Sequence, residues 1–309
     1  MKILAAKSTN EIMHKGKSGN VYQLDSIHNQ VNIEKRLSEN GHKIHYVDSQ
    51  NRVEEAIGLV NLVHKEGYLD VFIPKDNQTV YLSNGLMLQR PLYHLALEHA
   101  LIAKDLVDAL KNEELSFSSI GGGHHCEYDK PLGFGLVNTM AISATHSAAS
   151  GERVALLDLD IHYSNGCNDI LFQKENILMC SLWNQVIPAW KYYEVQNNLI
   201  HEKVNDVTDY FEKLDNLLER IKLFKPSIFI YHLGFDVMDT DRMGGITGMS
   251  EEGLLKREKI IREFMDTQQI PSLIYRGGGY TKYSDDFQAN KERQEKLIDI
   301  QMKAINQYF

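Results

Sequence analysis

Asp160 and His162 stand two apart in "LDLDIHYSNG", at the end of a short apolar run. On a β-strand or its immediate extension, that spacing turns both side chains to one face. A carboxylate and an imidazole on one face are half of a zinc or iron site, and Asp236, in "LGFDVMD", is a candidate third ligand. Three protein ligands with one position left open describe a catalytic metal site rather than a structural one. Taken alone, D-x-H is equally the mark of an Asp–His hydrogen bond at a strand end. Its weight comes from the groups that accompany it.

His124 and His125 are adjacent in "SIGGGHHCEYDK". Neighbouring side chains on a strand point to opposite faces, so both can serve one site only from a loop. The preceding glycines let the backbone turn sharply or approach a ligand closely. Attack on a carbonyl by a metal-activated water needs a base to take a proton and an acid to give one to the leaving group. Each imidazole would need a partner on its far nitrogen to fix its tautomer. Asp158 and Asn165 are the candidate partners. Asp158 lies inside an apolar run, where an unpaired carboxylate is costly, so it is read as a histidine acceptor or a ligand to a second, monovalent cation. Tyr280, after the glycines of "RGGGY", would place a phenol against the substrate carbonyl and stabilise the oxyanion.

These residues must be carried by elements that the pattern also predicts. The runs "VALLDLD" (154–160), "NILMCSLW" (176–183), "SIFIYHLGF" (227–235) and "PSLIYRGGG" (271–279) are apolar on both faces, as suits a parallel sheet covered on both sides. "LSFSSI" (115–120) is a further strand leading to the histidine pair. Three- and four-residue apolar spacing predicts helices over 92–112, 207–224 and 250–268, the last capped by Ser250 with Glu251 and Glu252 in its first turn. The expected fold is α/β: one domain over 1–309, with a mostly parallel central sheet, helices on both faces and the active site at the carboxyl ends of the strands. The first 90 residues are less regular, and "KDNQTVYLSNG" (75–85) reads as loop.

Composition bounds rather than decides. A net charge of −9 argues against non-specific nucleic-acid binding and is friendlier to cationic substrates. Cys126, Cys167 and Cys180 are odd in number and lack C-x-x-C spacing, which disfavours a disulfide framework and a zinc knuckle. No apolar stretch approaches the roughly 18 residues that span a bilayer. The N-terminus has too short an apolar run for a signal peptide. A cytoplasmic, reducing compartment is the simplest expectation.

Taken together, "GGGHHCEYDKPLGF", "LDLDIHYSNG", "LGFDVMDTDRMGG" and "RGGGY", in this order over roughly residues 115–283, resemble the histone deacetylase superfamily, which includes acetylpolyamine amidohydrolases. "DTDRMGGITGMS" and "KREKIIREFMDTQQIPSLIYRGGGYTK" look most like its class IV branch. The resemblance implies that Asp160, His162 and Asp236 hold one catalytic zinc, with iron(II) the other candidate. It implies that His125 is the general base and also the acid. His124, hydrogen-bonded to Asp158, would support the transition state, and Tyr280 would donate to the oxyanion. Gly133 and Phe134, with Met243, would line the acyl channel. Asp158, Ser181 and Leu182, with backbone groups of Asp160 and His162, match a family site for potassium.

The implied activity is a zinc-dependent amidohydrolase that removes an acetyl or longer fatty acyl group from a primary amine such as acyl-lysine. Acetylpolyamines or an acylated metabolite are the alternative substrates. A binuclear ureohydrolase of the arginase type shares the layered fold, but the HH and GGGY motifs do not suit it. A silent acyl-ligand-binding relative is the third reading. Tyr163 stands where many members carry histidine or glutamine, and Ser164 replaces a glycine. Asn165, being uncharged, would leave His125 a weaker base than aspartate would. No substrate-clamping acid is matched in the loop before residue 90.

Overall fold

The computed structural model describes the chain except residues 9–13, 16–20, 23–24, 75–81, 83–85, 87, 89–90, 187–190 and 282–286. The segment 75–85, read as loop, therefore falls outside the described residues apart from Leu82. The N-terminal third contributes β1 (Lys2–Ala6), the two-residue strands β2 (His14–Lys15) and β3 (Val21–Tyr22), α1 (Asp25–Glu39), β4 (Ile44–Val47) and α2 (Val53–Asn61). Then follow α3 (Pro91–Ala109), β5 (Leu115–Gly121), α4 (Thr139–Ala149), β6 (Val154–Asp158), α5 (Asn165–Leu171) and β7 (Ile177–Trp183). The last part holds β8 (Leu199–Lys203), α6 (Val207–Phe224), β9 (Ile228–Leu233), α7 (Glu251–Gln268), β10 (Ser272–Arg276) and α8 (Phe287–Ile305).

Eight strands form one sheet in the order β4-β1-β5-β10-β9-β6-β7-β8, and every pairing in it is parallel. Successive residues of each strand face opposite sides. Leu156, Ile230 and Leu273 join one apolar cluster with α2, α3, α4 and α5, while Leu157, Tyr231 and Ile274 join a second with α1, α6, α7 and α8. This two-sided burial is what a near-continuous apolar strand requires. The structure is thus the expected α/β fold, with a sheet that is wholly parallel. No helix among the described residues is long and apolar enough to cross a membrane.

Local signals set several boundaries. The Ser250 hydroxyl accepts from the Gly253 amide at the start of α7, and the Asp206 carboxylate accepts from the Thr208 and Asp209 amides at the start of α6. Caps of this kind contribute about 1 kcal/mol each. The consequence for function is positional. Strands β5, β10, β9 and β6 are four consecutive neighbours at the centre of the sheet, so the polar segments that follow them emerge side by side.

Candidate active site

Past the end of β5, residues 122–125 leave the sheet in a turn, and the His124 and His125 rings come to lie 3.8 Å apart at an interplanar angle of 42°. Their far nitrogens have different partners. His124 Nδ1 donates to Asp158 Oδ2 at 2.8 Å, whereas His125 Nδ1 donates to the neutral Asn165 Oδ1 at 2.8 Å. Each bond puts the proton on Nδ1 and leaves Nε2 as the basic nitrogen. Burial, together with the neighbouring His124 and His162, pushes the His125 imidazole well below its ordinary range. A histidine so placed is neutral at physiological pH and able to accept a proton.

Asp160, His162 and Asp236 bring one donor atom each within 4.8 Å of one another. His162 Nδ1 lies 3.0 Å from Asp160 Oδ1 and 2.9 Å from Asp236 Oδ2, while its Nε2 lies 3.0 Å from the Met243 carbonyl. A carbonyl can only accept, so Nε2 carries a proton. Although burial opposes it, Asp160 and Asp236 hold the His162 imidazole well above its ordinary range. The proton on Nδ1 thus occupies the position between the two carboxylates that a metal cation would take, with Nδ1 deprotonated as the ligand. Burial and the adjacent Asp160 push the Asp236 carboxyl up to about 8. Although burial opposes it, the nearby His124 and His162 hold Asp160 well below the usual range. Gly278 closes the cluster: its amide donates to Asp160 Oδ2 at 3.0 Å, and a Cβ there would sit 2.6 Å from Asp236 Oδ2 and 2.8 Å from Asp160 Oδ2. Two carboxylates and an imidazole nitrogen, converging and backed by bare backbone, fit a first-row divalent metal.

A model of the histone deacetylase domain matches residues 7–292. The chain belongs to the histone deacetylase family. It is 28% identical over 242 residues to histone deacetylase 2 of Arabidopsis thaliana, a match covering 72% of this chain and 61% of that protein. It is 26% identical over 171 residues to the acetylpolyamine amidohydrolase of Burkholderia pseudomallei, covering 51% of this chain and 49% of that protein. The aligned part thus spans less than two thirds of each of these relatives. Among solved structures, the Burkholderia acetylpolyamine aminohydrolase superposes with a TM-score of 0.74 at 18% identity, covering 99% of this chain and 98% of that one. The HDA15 HD domain superposes with a TM-score of 0.75 at 16% identity, covering 98% and 89%.

In this member of the histone deacetylase family, Tyr280 follows β10, and its ring centroid lies 6.5 Å from that of Phe134. Burial and the carboxylates of Asp160, Asp236 and Asp241 push the Tyr280 phenol well above its ordinary value, so it stays a donor. Phe134 has a φ of +61°, unusual for a residue with a side chain, and Gly133 before it has a φ of +55°. A Cβ on Gly133 would lie 2.1 Å from His125 Cδ2, so the bend presses bare backbone onto that ring. Met243 is 39% exposed at the rim and touches the cluster through its carbonyl. Ser181, the register partner of Asp158 on β7, is buried with no hydrogen-bond partner for its hydroxyl. Leu182, the next residue, is fully buried in the second apolar cluster. Tyr163 is buried, with its hydroxyl donating to the Tyr193 carbonyl at 3.1 Å.

Several residues take parts at the site that the sequence reading assigns to none of them. His232 on β9 donates from Nδ1 to Asp158 Oδ1 at 2.8 Å, and the Ser164 hydroxyl donates to Asp158 Oδ2. With the Asp160 amide also on Oδ1, that carboxylate accepts four hydrogen bonds. Glu127 Oε1 accepts from Asn165 Nδ2 at 2.8 Å. Asp241 accepts from the Tyr280 amide at 2.6 Å and from those of Met243 and Gly244 at 2.7 and 3.0 Å, joining the phenol's loop to the rim. Burial pushes its carboxyl up to about 6. The signal for His232 was the one used for Asp158, a polar residue within an apolar strand. Asp241 and Glu127 lay inside quoted motifs without a spacing that marked them. The region before residue 90, where a substrate clamp was sought, lies partly outside the described residues.

Proposed function

We propose that this protein is a zinc-dependent amidohydrolase that hydrolyses an acyl group, acetyl or longer, from a primary amine, and that residues 1–309 act as one domain. The observation that carries this reading is the histidine pair with unlike partners, Asp158 on His124 and Asn165 on His125, set against the Asp160–His162–Asp236 cluster. Those three residues would hold the zinc, with iron(II) the other fitting metal. Bound there, the metal supplies Lewis acidity, which polarises an amide carbonyl and acidifies a water.

The chain's own residues would do the rest. His125, neutral through burial, takes the proton of the attacking water on Nε2, held in that tautomer by Asn165. His124, anchored to Asp158, stands beside it and gives electrostatic support. Tyr280 donates its hydroxyl proton in a hydrogen bond to the developing oxyanion. The His125 imidazolium then returns the proton to the departing nitrogen. Amide and water become carboxylic acid and amine, which exchange their proton in solution. Phe134, Gly133 and Met243 flank the approach of the acyl-bearing chain.

Acyl-lysine is the first reading of the substrate. An acetylated polyamine is the second, favoured by the net charge of −9 and by the named activity of the Burkholderia relative. We place a potassium ion near Ser181, whose hydroxyl lacks a partner, with backbone oxygens of Asp158, Asp160, His162 and Leu182. The Asp158 carboxylate is already taken by four donors, so backbone oxygens would carry most of that ligation. Three buried free thiols accord with a reducing, cytoplasmic compartment. The test is amine release from acetyl-lysine peptide, long-chain acyl-lysine peptide and N-acetylated polyamine, with zinc-loaded and chelated protein. Chelator-sensitive turnover of one of them supports the reading. No turnover of any, with zinc bound at one equivalent, refutes it for these substrates and leaves a silent binding protein.

A further inference from the structure

Arg257 and Glu258, neighbours on α7, are both fully buried, yet neither touches the cluster at the rim. Removing two charges from water costs several kcal/mol per ion in real proteins, on the order of what one domain can spare. The position of the guanidinium suggests what that cost supports. Arg257 Nη2 donates to the Gly234 carbonyl at 2.7 Å and Nη1 to the Leu159 carbonyl at 3.3 Å, while Nε donates to Glu258. Leu159 lies between Asp158 and Asp160, and Gly234 lies two residues before Asp236. The pairing of β6 with β9 ends at Asp158 and His232, just before both segments. Beyond that last pair, one planar fork spans the two backbones from below.

The anchor of this fork is itself held. Glu258 accepts from the Tyr231 hydroxyl at 3.0 Å and from the Tyr308 hydroxyl at 2.7 Å, so α7, β9 and the segment after α8 all converge on it. We infer that Arg257 is a positioning residue that sets the separation of Asp160 and Asp236, and through it the metal affinity of the cluster. This rests on the reading of Asp160, His162 and Asp236 as metal donors. A lysine keeps the charge beside Glu258 but, as a point donor on a flexible stem, cannot hold two carbonyls in one plane.

The experiment uses the full chain. Zinc affinity is measured by chelator competition, the cobalt(II) absorption spectrum is recorded, and thermal unfolding of the metal-free protein is followed. The proteins are the unaltered chain, Arg257→Lys, Tyr308→Phe and the control Asp236→Asn. Arg257→Lys is expected to weaken zinc binding by about ten- to a hundredfold, the range for residues that orient ligands from behind, and to shift the cobalt bands. Tyr308→Phe, a milder change, should shift both in the same direction by a few-fold. A lower unfolding temperature with unchanged zinc affinity and cobalt bands would show a merely structural role and overturn the inference. Should Arg257→Lys fail to fold, Tyr308→Phe decides by the same criteria. If Asp236→Asn binds zinc as tightly as the unaltered chain, the metal-site reading itself fails, an outcome distinct from the others.

Discussion

Asn165 sits between a base and an acid, and replacing it tests how the site handles charge. Its Oδ1 accepts from His125 at 2.8 Å, and its Nδ2 donates to the buried Glu127 at 2.8 Å. Asn165→Asp would seem to give His125 the carboxylate that strengthens a histidine base. It also removes the only donor that residue 165 offers Glu127 and sets two carboxylates against each other. Charges roughly 4 Å apart repel by about 4 kcal/mol at an effective dielectric constant of about 20, or roughly three pH units of titration. Lys130 Nζ, 3.1 Å from Glu127 Oε2, offsets part of that repulsion, and the remainder favours a proton shared by the pair, so His125 gains less than a full negative charge. The double variant Asn165→Asp/Glu127→Gln restores an amide donor and leaves the new carboxylate to His125 alone.

The sign follows from the direction of the shift. On the proposed mechanism His125 works as a neutral base, so its depressed pKa would place the acidic limb of kcat/KM below the ordinary histidine value of 6.5. Raising the pKa moves that limb to higher pH. The double variant should move it up by about one to three units, the single variant by less than about one. Amine release measured across the pH range on the best acyl-amine substrate reads both. If Asn165→Asp alone shifts the limb as far as the double variant, the coupling through Glu127 is wrong.

Other outcomes follow from single contacts. Gly278→Ala sets a Cβ 2.6 and 2.8 Å from the two cluster carboxylates, so zinc affinity in a chelator competition should fall at least about tenfold; unchanged affinity would mean that the backbone yields there at no cost. Tyr280→Phe should lower turnover by about a hundred- to a thousandfold while zinc still binds at one equivalent, and loss of the metal too would contradict an oxyanion role. His64, buried between the Glu127 carbonyl and the Asn138 amide, is pushed down to about 4 by burial. Its folded pKa lies below the unfolded 6.5, so its stabilising contribution is complete above 6.5 and is lost as pH falls towards 4. The loss is on the order of 3 kcal/mol. Urea unfolding at neutral and at acid pH should show His64→Gln losing less stability over that window than the unaltered chain; an equal loss would place the effect elsewhere.

Elements with strong local signals are legible in the sequence. The apolar spacing delimits α6 and α7, with Ser250 capping the second, and the reading 207–224 coincides with Val207–Phe224. The N-terminal third is not legible in that way. β4 is an edge strand whose His45 and Tyr46 are exposed, so it carries no apolar run, and α1 is mostly polar with a narrow buried face. The pairing of β4 with β1 completes the sheet, and α1 packs against β5 and α8, through contacts that no short window contains.

At the site, residue types and spacings alone single out the histidine pair, Asp158, Asp160, His162, Asp236, Asn165 and Tyr280, because reactive groups in apolar runs and after glycines are costly to place without use. The tertiary structure decides which partner each group has. It gives Asp158 to His124 and Asn165 to His125, and it brings His232 and Ser164 onto the same carboxylate. It also sets Asp241 under the Tyr280 loop and Arg257 beneath two strand ends. Chemical capacity is a property of a residue and its near neighbours in the chain. The saturation of a buried donor or acceptor depends on strands that meet across the sheet, as Asp158 and His232 do at 74 residues' separation.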